Sequence, residues 1–63
     1  MLIKISDAAK RFKNQANLAA AIGITPQAIT NRLSRSEYLT ETQALKLNQK
    51  HPVITKELMR ASK

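Results

Sequence analysis

The chain has 63 residues, no cysteine, and 11 Lys and Arg against 4 Asp and Glu, a formal charge of +7. A chain of this length makes one small domain, residues 1–63, that buries only about 60% of its extended surface, without a thiol to form a disulfide or a thiolate metal site. The charge points to a polyanionic partner, nucleic acid ahead of an anionic membrane surface, while one His and four scattered carboxylates offer no catalytic or metal-binding constellation.

In chain order, Leu2 to Ile5 is apolar with one Lys and reads equally as a short extended strand or as the lead into a helix. Ser6 is a fair N-cap for a first helix over about Asp7 to Phe12, with Asp7 near the positive end of the helix dipole. Phe12 is the only Phe. At this place it fits a core plug better than an aromatic that stacks on a base. Asn14 is a good N-cap for a second helix, about Gln15 to Ile22, whose Ala19-Ala20-Ala21 run has the highest helix propensity available. Gly23, the only glycine, suits the left-handed C′ position that ends that helix, and no phosphate-binding glycine loop exists. Thr25 then caps a third helix, about Pro26 to Leu33 or Ser34, with Pro26 at the first position, where its missing N–H costs nothing.

Polar Ser34-Arg35-Ser36 breaks the third helix. Thr40 to Gln43 has the form of a capping box and opens a fourth helix, about Glu41 to Lys50. His51-Pro52 stops it, since the residue before a proline avoids the α region, and His51 there reads as a capping or surface residue. A last helix over about Ile54 to Arg60, with Val53 or Thr55 as alternative starts, carries Ile54 and Leu58 at i and i+4, and the tail Ala61-Ser62-Lys63 is expected to fray. The longest apolar run, Leu18 to Ile22, is far short of the ~20 residues that span a bilayer, and Met1 to Ile5 is too short for a signal-peptide core. The chain therefore reads as neither exported nor membrane-spanning, hence cytoplasmic. The expected fold is all-α with five helices.

Residues 15–34 organise this chain as two short helices at a wide angle, a helix-turn-helix. Ala19 is the small residue at their closest approach, Gly23 ends the first helix, and Leu18, Ile22, Ile24, Ile29 and Leu33 face inward. The second helix of such a unit lies in the DNA major groove and reads base edges. Its outward positions here, Pro26, Gln27, Thr30, Asn31 and Ser34, are the candidate base contacts. Gln27 and Asn31, at i and i+4, carry amides that can pair bidentately with adenine. Candidate phosphate contacts are Asn14, Gln15 and Asn17 at the start of the second helix, Thr25, and Arg32 and Arg35 near the end of the third. Lys10, Arg11 and Lys13 add field beside them.

Gln15, Ala19, Gly23 and Ile29, with Leu18, Ile22 and Leu33 between, resemble the helix-turn-helix of phage Cro proteins and related repressors. Ser6 to Phe12 and the C-terminal LKLNQKHPVITKELM resemble the all-α Cro proteins and the YdaS-type antitoxin regulators. The resemblance implies a five-helix, lambda-repressor-like domain without cofactor or metal. It implies a homodimer that represses transcription from a pseudo-palindromic operator in double-stranded DNA, with half-sites about 34 Å apart. Two departures stand out: Arg32 occupies a place where many relatives have Trp, and one extra residue lies between Phe12 and Gln15. Tyr38, Leu39 and the apolar residues of the last two helices serve either the dimer or the monomer core. The other functional reading is an antitoxin or accessory module whose last two helices grip a protein partner. A membrane-surface role for residues 46–63 and an enzyme rank behind both.

Overall fold

The computed structural model describes residues 2–61 and is helical over most of them: α1 (Ile5–Arg11), α2 (Gln15–Ile22), α3 (Pro26–Leu33), α4 (Glu41–Lys50) and α5 (Pro52–Ala61). Among the described residues the only β feature is one isolated antiparallel bridge between Lys4 and Tyr38. Of the tail expected to fray, Ala61 is the last residue of α5, and Ser62 and Lys63 lie outside the described residues.

The N-terminal segment forms no strand: it makes a single bridge at Lys4 and enters a helix at Ile5. Ile3 and Lys4 are extended, with the Leu39 N–H donating to the Ile3 carbonyl at 2.9 Å. Ile5 already begins α1, and its own N–H donates to the Glu37 carbonyl at 2.9 Å. That bond gives an orphan first-turn donor its acceptor, which a capping side chain normally supplies. Helix α1 therefore starts two residues before the Asp7 expected from the sequence. Ser6 lies inside it rather than capping it, and the N-cap is Lys4, whose side chain makes no capping bond. The gain is burial: Ile3, Ile5 and Ala8 have no exposed surface, and each isoleucine contributes about 1.5–3 kcal/mol by leaving water.

The start and stop chemistry of α2 to α4 follows the sequence. The Asn14 side chain accepts from the Asn17 N–H at 2.8 Å. Gly23 takes φ 88°, and the Ile24 N–H reaches back to the Ala19 carbonyl at 2.9 Å while the Gly23 N–H bonds Ala19 and Ala20. This is the Schellman closure, which satisfies the last carbonyls of the helix. A side chain at Gly23 would meet only the Lys50 Nζ, at 3.1 Å, so it is the positive φ that demands glycine here. The Thr25 hydroxyl accepts from the Ala28 N–H at 3.3 Å, and Thr40 and Gln43 close a reciprocal capping box at 3.1 Å in both directions.

Helix α5 also begins earlier than the expected Ile54. Pro52 ends α4 as anticipated, but it stands at the first position of α5, where proline is favoured. The His51 carbonyl accepts from both the N–H and the hydroxyl of Thr55, at 3.0 and 2.8 Å. Thr55, fully buried, is thereby satisfied. His51 is half-buried as the C-cap of α4, and its ring stands edge-on to Phe12 at 5.3 Å. Phe12 packs against the core, which is the core-plug role.

Helix α2 packs on α1, α3 and α4, and α5 packs on α4 and α1. Leu18, Ala19 and Ile22 of α2 sit at the centre, joined by Ile29, Leu47, Leu58 and Leu39 in one cluster. Leu39 is therefore core. Leu33, expected to face inward, is 38% exposed. The reason is that α3 makes its extensive contact with α2 alone, so Ile29 fills the contact and Leu33, one turn on, passes its edge.

Candidate nucleic-acid interface

The candidate surface is built from the two helix starts and the outer side of α3. Asn14, Gln15 and Asn17 are all exposed at the first turn of α2, where the leading N–H groups have no helical acceptor. On α3, Thr25, Pro26, Gln27, Thr30, Asn31 and Ser34 are exposed, and Ile29 is the one buried residue. An eight-residue helix held by a single buried side chain leaves most of its circumference uncovered. With a helix diameter of about 10–12 Å, that uncovered rod matches a major groove about 12 Å wide.

The exposed side chains of α3 are locally ordered. Gln27 Nε2 donates to Asn31 Oδ1 at 3.0 Å, so the two candidate base readers are bonded to each other. The Thr30 hydroxyl donates to the Pro26 carbonyl at 3.3 Å and the Ser34 hydroxyl to the Asn31 carbonyl at 2.7 Å. Both hydroxyls thus spend their proton on the backbone and keep an acceptor lone pair outward. Among the described residues, hydrogen bonds run within the α2 set and within the α3 set, and none links the two. Their relative position is fixed by the buried contact beneath.

Charge is distributed unevenly. Between Asp7 and Glu37 the sequence has no carboxylate and carries Lys10, Arg11, Lys13, Arg32 and Arg35. Helices α2 and α3 therefore contain no acid. The acids sit on α1, on the segment leading into α4, and on α4 and α5. Glu57 pairs with Arg11, tying α5 to α1, and Glu37 pairs with Lys4 at 3.9 Å. Arg11 is thus partly neutralised, whereas Lys13 is fully part of the acid-free stretch. Lys13 also adopts φ 79°, the only non-glycine residue among those described with a positive φ. This left-handed step sits at the corner between α1 and α2.

Arg32 acts partly as a strut. It is half-buried, and its Nε donates to the Tyr38 carbonyl at 2.7 Å. That bond connects the last turn of α3 to the bridge segment that pairs with Lys4. Arg32, with Arg35 and Asn31, lines a shallow cleft shared with Thr40 and Gln43 at the start of α4. Sequence reasoning missed both the strut and the approach of Gln43 to α3. The capping box identified Gln43 only as a local partner of Thr40, and the path of residues 34–40 decides what lies beside it. Arg32→Lys keeps the charge but loses the planar fork. It is expected to cost about 1–2 kcal/mol in urea unfolding, and an unchanged midpoint would remove the strut.

Among the described residues no group of His, Cys, Asp and Glu is placed to hold a metal ion, and no helix is long and apolar enough to cross a membrane. Comparison with known protein families, with curated proteins and with solved structures finds no match to this chain.

Proposed function

We propose that this chain is a sequence-specific DNA-binding transcriptional regulator, a cytoplasmic Cro-type repressor that inserts α3 into the major groove of a pseudo-palindromic operator. The observation that carries this reading is the composition and exposure of α3: one buried residue, an outer side of amides and hydroxyls, and no carboxylate on either α2 or α3. Polar side chains with mixed donors and acceptors suit base edges, and a surface without acid suits a phosphate backbone. In this reading Gln27, Asn31 and Thr30 meet bases, with Pro26 and Ser34 at the margins of the contact. Asn14, Gln15, Asn17, Thr25, Arg32 and Arg35 meet phosphates. Catalysis, cofactor and metal have no part in it.

Self-association belongs to the same proposal. Leu45 and Val53, 45% and 69% exposed, are the exposed large apolar side chains of α4 and α5 among the described residues, and they offer a second copy a contact now that Leu39 is core. The same two side chains favour the second reading, an accessory module whose α4 and α5 hold a different protein.

Gln27→Ala separates base reading from plain attraction. Titrated by fluorescence anisotropy, it is expected to lose about 1–3 kcal/mol on the preferred site, the worth of one bidentate base contact, and almost nothing on random DNA. Equal losses on both would leave Gln27 a phosphate contact or a bystander.

A further inference from the structure

Resting on the DNA-reading proposal above, we infer that Lys13 is a phosphate anchor held at the corner between α1 and α2 at a cost in fold stability. The corner demands a left-handed residue. Helix α1 ends at Arg11 with Phe12 as its C-cap, the Lys13 N–H returns to the Lys10 carbonyl at 3.2 Å, and Asn14 is already extended as the N-cap of α2. Turning the chain in so few residues puts φ 79° on Lys13. A side chain in that region crowds the following carbonyl, which glycine avoids. The next corner meets the same demand with Gly23, at φ 88°. Two similar backbone positions therefore carry a glycine and a lysine.

Nothing inside the fold explains the lysine. Lys13 is exposed, and among the described residues its ammonium makes no hydrogen bond or ion pair, whereas Arg11 is tied to Glu57. The helix ends give no net reason for the charge, because the C-terminus of α1 favours a cation and the N-terminus of α2 disfavours one. Backbone strain of this kind persists where the side chain has a job outside the fold. Lys13 immediately precedes the N-cap of α2 and lines one shallow groove with Asn17 of that helix's first turn. In the proposed complex Asn14, Gln15 and Asn17 face the DNA backbone, so the anion that meets an exposed cation beside them is a phosphate.

Three variants of the full chain test the anchor, with Tm and DNA affinity measured on each. Lys13→Gly removes strain and charge together. Its Tm should rise by roughly 4 °C, since glycine's greater freedom in the unfolded chain offsets part of the relief. At about 0.15 M salt its affinity should fall roughly 5-fold on preferred and random DNA alike, with the slope of log affinity against log salt flattened by about 0.9. A more stable protein that binds less tightly cannot owe the loss to unfolding. Lys13→Asn keeps a side chain that tolerates the left-handed region. It should lose the same affinity, which separates the missing charge from added freedom at the corner. Lys13→Arg keeps the charge and should retain both affinity and slope. Unchanged affinity and slope in the glycine and asparagine variants, or an equal loss in Lys13→Arg, overturns the phosphate anchor. A Tm of Lys13→Gly that stays level or falls overturns the cost in stability. In each case a consensus selected from random DNA by the unmodified chain leaves the DNA-reading proposal standing, whereas no DNA binding by the unmodified chain overturns both.

Discussion

Ile29→Ala is expected to lower stability by about 2–4 kcal/mol and to abolish specific DNA binding near the unfolding midpoint. Ile29 has no exposed surface and is the only buried residue of α3. Truncating a buried isoleucine removes three carbons from the core and leaves a cavity, which costs about 2–5 kcal/mol depending on how far the site collapses. A domain of this length has roughly 3–9 kcal/mol in total, so the loss is a large share of it. The effect should be uneven: α3 has no other extensive partner than α2, so it should lose order before α4 and α5 do. Urea unfolding followed by circular dichroism measures the loss, and hydrogen exchange resolved by residue locates it. Conversely, a loss below 1 kcal/mol would mean that α3 is held by something other than Ile29.

The second large effect is on salt dependence. With Lys10, Lys13, Arg32 and Arg35 each neutralising about one phosphate, log affinity should fall with log salt at a slope of about −3.6 per protomer. Between 50 and 200 mM salt this amounts to a loss of roughly 10²-fold. Lys13→Ala should flatten the slope by about 1 and weaken binding to all sequences alike. Gln27→Ala should leave the slope unchanged. Arg11→Ala should have the smaller effect of the two cations flanking Phe12, since its guanidinium is already paired with Glu57. A slope near zero would mean that the +7 charge does not face the partner.

Much of this arrangement is legible in the sequence because it rests on local rules. Asn14, Gly23, Thr25, Pro26 and the Thr40–Gln43 box each bound a helix through bonds within three or four residues, so residue type and spacing suffice. Where the sequence reading failed, the deciding partner lay far along the chain. Ile5 starts α1 early because a carbonyl at Glu37 satisfies its N–H. Leu33 is exposed because of which helices flank α3, which helical periodicity does not report. Pro52 reads as a stop in the sequence and is also the first residue of α5, where the His51 carbonyl before it accepts from Thr55. The bond from Arg32 to the Tyr38 carbonyl gives that side chain a packing role that no local spacing could reveal. Gln27 and Asn31 were singled out separately from their chemistry, and only the folded helix joins them.

The central claim, that α3 reads base sequence, is tested most directly by presenting the full chain with a random pool of double-stranded DNA and sequencing what it retains. The account predicts an enriched consensus containing an adenine whose preference is lost in Gln27→Ala, repeated in inverted orientation if two copies bind together. Retention of DNA without any enriched sequence would contradict it, and would reduce α3 to one more part of a basic surface.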